Sequence, residues 1–143
     1  MRTAIYMRVS TTKQEFNHQS SSLEKVVRNS EWLPFYWYME KVSGAVKNKD
    51  RPELLRLLED CSAGKIEQVV VWEISRLGRN TAEMFATLQT LKELKINLYI
   101  HNWQISTRTA TGDENPMGDF MLKILGLVAE KERKQVLPLN LGW

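Results

Sequence analysis

The fold is decided at residues 3–10, which read TAIYMRVS. Apolar residues dominate this stretch, and the polar residues 11–14 follow it directly. A short apolar run that is bounded by polar residues is typical of a buried β-strand in a parallel sheet. We therefore predict a first strand that ends in a polar loop and places Arg8 and Ser10 at its carboxyl end.

Amphipathic and apolar segments alternate along the rest of the chain. In the first amphipathic segment, Leu23, Val26 and Val27 share one face of a predicted helix. Such alternation favours an α/β three-layer sandwich with a mostly parallel central sheet of 4–5 strands, flanking helices and a long C-terminal helix. The predicted helices cover about 17–28, 50–63, 80–94 and 117–137, and the further strands cover 35–39, part of 66–74 and 96–100.

Local signals indicate where the helices begin and end. Asp50 is the predicted N-cap of the second helix, and Glu53 closes a capping box with it. Asn80 gives the same signal for the third helix, and Pro138 is expected to end the last one. Residues 106–116 are polar and show no periodicity, which predicts a mobile loop.

The composition fits one globular domain. The chain has 143 residues, of which 43% are hydrophobic and 26% are charged. The single Cys61 excludes an internal disulfide framework, and no Cys/His spacing indicates a zinc site. We see no signal peptide and no apolar run near the ~20 residues of a membrane span, so we predict a cytosolic protein. The net charge of +3 is too small to indicate nucleic-acid binding by itself.

Polar side chains gather where the predicted strands end. In α/β sheets the functional crevice lies at the carboxyl ends of the strands. We expect these loops to surround the hydroxyl of Ser10 with up to four arginines. The loops carry Arg8, Ser10, Glu40, Ser43, Arg51, Ser75, Arg76 and Arg79.

A hydroxyl ringed by arginines suits phosphoryl transfer. Guanidinium groups match phosphate oxygens as bidentate donors. Arg76 and Arg79 are three positions apart, and we predict that both project from the start of one helix, whose N-terminus attracts anions. Two alternatives stay open: the arginines are a solvated surface, or Ser10 belongs to a hydrolase that uses His18 or His101. No GxSxG elbow surrounds Ser10.

Four segments of the chain carry recognisable motifs. Residues 6–11 read YMRVST, with Gln14 shortly after them, and residues 70–80 read VVWEISRLGRN. Ser43-Gly44 is followed by Asp50-Arg51-Pro52, and residues 125–133 read LGLVAEKER. Taken in chain order, from residues 6–11 through 43–52 and 70–80 to 125–133, the segments resemble the nucleophile, S-G…R-P, R-L-G-R and interface-helix motifs of the serine site-specific recombinases, the resolvase/invertase family. The resemblance covers about residues 3–136.

The resemblance implies a defined reaction on DNA. Ser10 would attack a phosphodiester to form a 5′-phosphoserine link and a free 3′-hydroxyl, and strand exchange and religation would follow. No metal, ATP or other cofactor is implied. The implied catalytic residues are Ser10, Arg8, Arg76, Arg79, Arg51 and Gln14, and the implied DNA-binding residues are Ser43, Gln19, Lys131 and Lys134.

The last predicted helix carries a broad apolar stripe. Core packing explains about half of this stripe. The resemblance implies that Phe120, Met121, Ile124 and Val128 lie in an oligomer interface, within a homodimer that becomes a tetramer in the synaptic complex. The implied partner is DNA, and no membrane partner is implied. The implied location is the bacterial cytoplasm, in association with the nucleoid.

The chain departs from the family pattern at several positions. Ser75 stands where many members have Asp, so an acid role there is not expected. Glu40 replaces a frequent Asp, and the loop from Ser43 to Arg51 is longer than in compact members.

The expected domain organisation bears on activity. We expect residues 1–137 to form the catalytic domain, and residues 138–143 to be an atypical tail with no DNA-binding domain present. Affinity for DNA should then be weak. The alternative functions are a catalytically incompetent, DNA-associated oligomerisation module and a small-molecule serine hydrolase or phosphatase.

Overall fold

A computed structural model describes the backbone of residues 1–9, 13–41, 51–109 and 111–140, and the side chains of 1–8, 14–41, 51–109 and 111–132. Strands and helices alternate along the chain, as predicted. The elements are β1 (Thr3–Val9), α1 (Lys13–Asn29), β2 (Phe35–Lys41), α2 (Pro52–Ser62), β3 (Gln68–Val71), a 3-10 helix (Ile74–Leu77), α3 (Thr81–Glu93), β4 (Asn97–Ile100), β5 (Ile105–Ser106) and α4 (Pro116–Asn140).

The central sheet has five strands in the order β2-β1-β3-β4-β5. The first four strands are parallel, and β5 pairs antiparallel with β4. This arrangement confirms the predicted α/β class and the mostly parallel sheet. The short strand β5 was not predicted, because two residues carry no detectable periodicity.

Alternate residues of each strand pack on opposite faces of the sheet. Tyr6 points to the face that is covered by α2 and α3, where Leu57 and Leu91 complete a buried cluster. Ile5 points to the other face, where it packs against Leu23 of α1. The period of two along β1 therefore separates the two cores, and the molecule has three layers, as predicted.

The last helix, α4, lies outside the three layers and packs on α3 and β5. Met121, Leu122 and Leu125 are half-buried against the core between the sheet and α3. The other side of α4 carries Phe120 and Leu127, which are 59% and 65% exposed. Helix α4 therefore has an inner apolar face and an outer apolar face.

Two predicted helix boundaries were wrong, and one predicted loop contains regular structure. Helix α1 begins at Lys13 and not near Asn17, because its polar first turn gives no apolar periodicity. Helix α4 continues through Pro138 to Asn140. A proline in the last turn removes one hydrogen bond, and here that loss does not end the helix. Residues 106–116 are not irregular throughout, since β5 and an antiparallel bridge between Arg108 and Glu114 order part of them.

Candidate functional site

The parallel pairing of β1 with β2 sets the geometry at the carboxyl edge of the sheet. Arg8 lies beside Glu40 in this register, and β1 ends at Val9, the residue before Ser10. Because side chains alternate along a strand, Arg8 shares the α2/α3 side of the sheet with Tyr6. Strand β1 therefore places the guanidinium of Arg8 at the carboxyl edge of the sheet, where the functional site was predicted.

Arg51 is buried at the start of α2 and reaches across to the loop that follows β3. Its Nη1 donates to the carbonyl oxygen of Arg76 at 2.6 Å, and its Nη2 donates to that of Gly78 at 3.5 Å. The Nε atom is buried without a hydrogen-bond partner. Arg51 therefore fixes the backbone that carries Arg76.

Three guanidinium groups meet at this edge. We call Arg8, Arg51 and Arg76 the arginine cluster. The pKa of Arg8 is lowered, first by burial and then by the positive charges of Arg76 and Arg51. Only 16% of the Arg76 side chain is exposed. Like charges this close repel one another, so the cluster favours an anion beside it.

Arg79 does not project with Arg76 from one helix, and that prediction was wrong. Arg76 lies in the separate 3-10 helix, whereas Arg79 precedes α3 and its Nε donates to Glu83 at 2.9 Å. The predicted N-cap at Asn80 is confirmed, since its side chain accepts from the amide of Glu83. The cap places Arg79 outside α3, where the i+4 carboxylate of Glu83 holds it.

Gly78 allows the loop after the 3-10 helix to approach α3 closely. A Cβ atom at this position would lie 2.5 Å from the amide nitrogen of Met84. The hydroxyl of Thr87 donates to the carbonyl of Leu77 at 2.8 Å and holds the same loop. The backbone behind Arg76 is thus fixed by packing and by hydrogen bonds on both sides.

Glu40 is a buried carboxylate whose structural role the sequence analysis missed. It accepts hydrogen bonds from the Tyr6 hydroxyl at 3.1 Å and from the amides of Glu53 and Leu54 at 3.3 and 3.0 Å. These amides belong to the first turn of α2, so Glu40 satisfies a helix N-terminus. Burial, and then the charge of Glu40, raise the pKa of Tyr6.

The start of α2 corrects a prediction. The N-cap position is Arg51 and not Asp50, and the side chain of Arg51 makes no capping hydrogen bond. The carboxylate that satisfies these amides comes from β2 instead. Asp50, the predicted cap, lies outside the described residues. Pro52 is in the first turn.

The remaining predicted site residues fall in three groups. Ser10 and Ser43, and the side chain of Lys134, lie outside what the structure describes. Gln14 is exposed in the first turn of α1, and Lys131 is exposed on α4. Gln19 is only 8% exposed, and its Nε2 donates to Glu15 at 3.3 Å, so its amide is not presented to solvent as expected for a DNA contact.

The two histidines pack on an indole at the carboxyl edge of the sheet. The ring centroids of His18 and His101 lie 5.7 and 5.0 Å from that of Trp72. The His101 ring also lies near Tyr99, whose hydroxyl is 3.4 Å from Nδ1, and burial lowers the pKa of His101. His101 therefore packs at the end of β4, whereas His18 is an exposed residue of α1 that touches the edge of the same indole.

Other reactive or ligand-forming groups are few in the described parts of the chain. Cys61 is buried in the core, and burial raises the pKa of its thiol to about 12. Within residues 1–9, 13–41, 51–109 and 111–140, no three His, Cys, Asp or Glu side chains are grouped to hold a metal ion. Over the same ranges, every helix is too short or too polar to cross a membrane.

Comparison with known proteins gives a consistent result. Residues 3–137 match the family described as "Resolvase, N terminal domain". The DNA-invertase of Escherichia phage P1 and the serine recombinase gin of Escherichia phage Mu are each 32% identical to this chain over 132 residues. Those residues are 92% of this chain, and the match spans 62% and 60% of the two relatives, so the chain corresponds to about three fifths of their length.

A solved structure is similar to the whole fold. The N-terminal catalytic domain of TP901-1 integrase superposes with a TM-score of 0.70 at 26% sequence identity. The superposition covers 94% of this chain and 98% of that domain. The three-layer architecture therefore has a counterpart of nearly the same extent.

Proposed function

Because this chain belongs to the resolvase N-terminal domain family, we propose that it is a catalytic domain that cleaves and rejoins DNA, with Ser10 as the nucleophile. The observation that carries the proposal is the arginine cluster. Arg8, Arg51 and Arg76 converge at the edge where β1 ends, one residue before Ser10. A hydroxyl beside concentrated positive charge is suited to attack a phosphodiester.

The proposed step exchanges one phosphoester for another. The Ser10 oxygen forms a bond to phosphorus and loses its proton, the bond to the 3′ oxygen breaks, and that oxygen takes up a proton as the free 3′-hydroxyl. The reverse attack by a 3′-hydroxyl rejoins the strand and frees Ser10. The serine ester conserves the energy of the phosphodiester, so the proposal needs neither ATP nor a metal ion.

Each arginine has a proposed part in this step. Arg8 and Arg76 bind the equatorial phosphate oxygens and stabilise the charge that spreads over them. Arg51 positions Arg76 through its backbone carbonyl. Arg79 reaches the phosphate after it leaves Glu83, a partly exposed ion pair that costs little to break.

Further residues are proposed to contact DNA. Gln14, in the exposed first turn of α1, follows the nucleophile loop. Lys131 lies exposed on α4, and Ser43, Lys134 and Gln19 complete the proposed set, with Gln19 requiring a change of rotamer. A protein that acts on bacterial DNA in this way would work in the cytoplasm, at the nucleoid.

The outer face of α4 is the proposed subunit interface. Phe120, Ile124, Leu127 and Val128 are at least 40% exposed, and contiguous apolar surface of this kind is typical of interfaces. Met121 belongs mainly to the inner face. We propose a homodimer through this surface, and a tetramer when two DNA sites are joined.

A suicide substrate tests the catalytic proposal. A pool of random-sequence duplexes, each with a nick that lets the cleaved end diffuse away, should yield a covalent protein–DNA adduct on Ser10. The Ser10→Ala variant lacks the oxygen that would form the ester, so it should form no adduct above background. Ser21→Ala, on the exposed side of α1, is the matched control and should react like the wild type.

Two outcomes would count against the proposal. If the wild type forms no adduct that Ser10→Ala lacks, the chain is better described as a DNA-associated oligomerisation module without catalysis. If Ser10 instead reacts with a fluorophosphonate and the protein hydrolyses soluble esters, the small-molecule hydrolase reading is favoured.

A further inference from the structure

A carboxylate, Glu73, borders the arginine cluster at the end of β3. Its Oε1 lies 3.7 Å from Nη2 of Arg76 and accepts a hydrogen bond from the Ser75 hydroxyl at 2.7 Å. The charge of Glu73 also acts on Arg8, where it opposes the lowering of the pKa by burial and by the other guanidinium groups. Glu73 thus lies close to both arginines that are proposed to bind phosphate.

Glu73 and Glu40 differ in how firmly they are held. Glu40 is 3% exposed and accepts three hydrogen bonds from Tyr6 and the start of α2. The side chain of Glu73 is 37% exposed, and its distance to Arg76 is longer than a hydrogen bond. A half-exposed carboxylate at this distance can move away at small cost when a stronger anion arrives.

We propose that Glu73 is the counterion of Arg76 in the DNA-free protein, and that a DNA phosphate displaces it. The inference rests on the proposed function, because it takes the ligand of Arg76 to be a phosphodiester. Glu73 then keeps the cluster compact between reactions and competes with phosphate for the same guanidinium. It is a positioning residue, not a group that touches the reacting atoms.

Ser75 modulates this competition. Its hydroxyl donates to the same carboxylate oxygen that faces Arg76, and so shares the negative charge with the arginine. Without the hydroxyl, the carboxylate would pair more closely with Arg76. Loss of the carboxylate and loss of the hydroxyl should therefore change DNA affinity in opposite directions.

The test measures binding and reaction separately. Fluorescence anisotropy with a short labelled duplex at low salt gives the affinity, and the suicide duplexes give the adduct rate at saturating DNA. Glu73→Gln should bind DNA roughly three- to tenfold more tightly, with an adduct rate within about twofold of the wild type. Glu67→Gln is the matched control for net charge, since Glu67 pairs with Arg2 at the opposite edge of the sheet, and its affinity should change less than twofold.

A second variant tests the predicted direction of the change in DNA affinity. Ser75→Ala should weaken DNA binding by about twofold, and this effect should vanish in the Glu73→Gln/Ser75→Ala double variant, because the hydroxyl acts only through the carboxylate. Thermal unfolding of all the variants identifies any that are merely destabilised.

The outcomes distinguish this inference from the proposed function. Equal tightening by Glu73→Gln and Glu67→Gln, or a Ser75→Ala effect that persists without Glu73, would overturn the counterion role even if Ser10 forms its adduct. Weaker DNA binding together with lower thermal stability in Glu73→Gln would assign Glu73 a structural role instead. Absence of any Ser10 adduct contradicts the catalytic proposal alone, since the binding measurements stand without it.

Discussion

The buried guanidinium of Arg51 donates to the carbonyl oxygens of Arg76 and Gly78, and so ties the start of α2 to the loop after β3. A lysine could not replace it, because an ammonium is a point charge on a flexible stem, whereas a guanidinium presents its donors in a rigid fork. Arg51 therefore contributes mainly through the position of Arg76. One arginine of the cluster organises the backbone, and the two others face the proposed phosphate.

Gly78 offers a test of this organisation. The Gly78→Ala variant should lose about 2–4 kcal/mol of unfolding free energy, because the added Cβ meets the backbone of α3 at 2.5 Å and the loop must shift. The shift also moves Arg76, so the Ser10 adduct should form at least tenfold more slowly. Urea denaturation and the suicide duplex provide the two measurements.

The control for this variant is Gly64→Ala. Gly64 has a φ of +76°, but a Cβ there meets nothing within 4 Å, so only backbone strain of about 1 kcal/mol is expected. Equal destabilisation by the two substitutions, or a normal adduct rate in Gly78→Ala, would show that the close approach of this loop to α3 does not position Arg76.

The sequence predicted some of the individual residues of the site. Arg8 and Arg76 could be placed because each lies just beyond or at the end of a strand whose pattern is clear. Arg79 could not, since its capture by Glu83 depends on where α3 begins. Glu73 was passed over because a carboxylate three residues before an arginine is common on any surface.

Helix α4 shows how one apolar stripe divides into two faces. Met121 and Leu125 pack against the core, whereas Phe120 and Leu127 are exposed. The sequence pattern predicted the stripe, but the predicted interface included Met121 and did not include Leu127. A stripe broader than one contact surface does not reveal where the division falls.

The two faces predict two different phenotypes. Replacement of both Phe120 and Leu127 by Ser should dissociate the proposed dimer and leave the unfolding free energy of the monomer within about 1 kcal/mol. Met121→Ala should instead cost about 2–4 kcal/mol and leave association intact. Sedimentation velocity and urea denaturation report these quantities, and a wild type that stays monomeric at high concentration would contradict the interface.

The starts of α2 and α3 show which helix boundaries a sequence can reveal. Asn80 caps α3 through an amide three residues away, so the signal is local and was predicted correctly. The first amides of α2 are satisfied by Glu40, which lies 13 residues before Glu53 in the sequence and belongs to strand β2. Such a contact exists only after the sheet has formed, and no local pattern indicates it.

The charge of the whole molecule is modest, with 20 basic and 17 acidic residues. Several described cations are paired with carboxylates, among them Arg2, Arg28, Arg56 and Lys92. The arginine cluster is therefore a local concentration of positive charge on a nearly balanced surface. We therefore expect this surface to hold one phosphate and not to follow a long stretch of DNA backbone.

This balance predicts weak, salt-sensitive binding of DNA by the chain. Anisotropy with a non-specific duplex should give a dissociation constant of roughly 10⁻⁶ M or weaker at physiological salt. An Arg8→Ala/Arg76→Ala variant should bind less tightly and with a shallower dependence on salt, because fewer counterions are released. Tight, sequence-specific binding in a gel-shift assay would contradict this prediction.

The interior place of β1, between β2 and β3, has a consequence for the order in which the protein acquires its parts during synthesis. Thr3 pairs with Gln68 and Tyr6 with Val71, so the side of β1 that pairs with β3 stays open until residues some 65 positions later leave the ribosome. Residues 74–77, which bear Arg76, follow that partner immediately. The pairing of the strand that leads to the proposed nucleophile is thus completed almost together with the arginine proposed to assist it, and we expect a half-made chain to lack the assembled site.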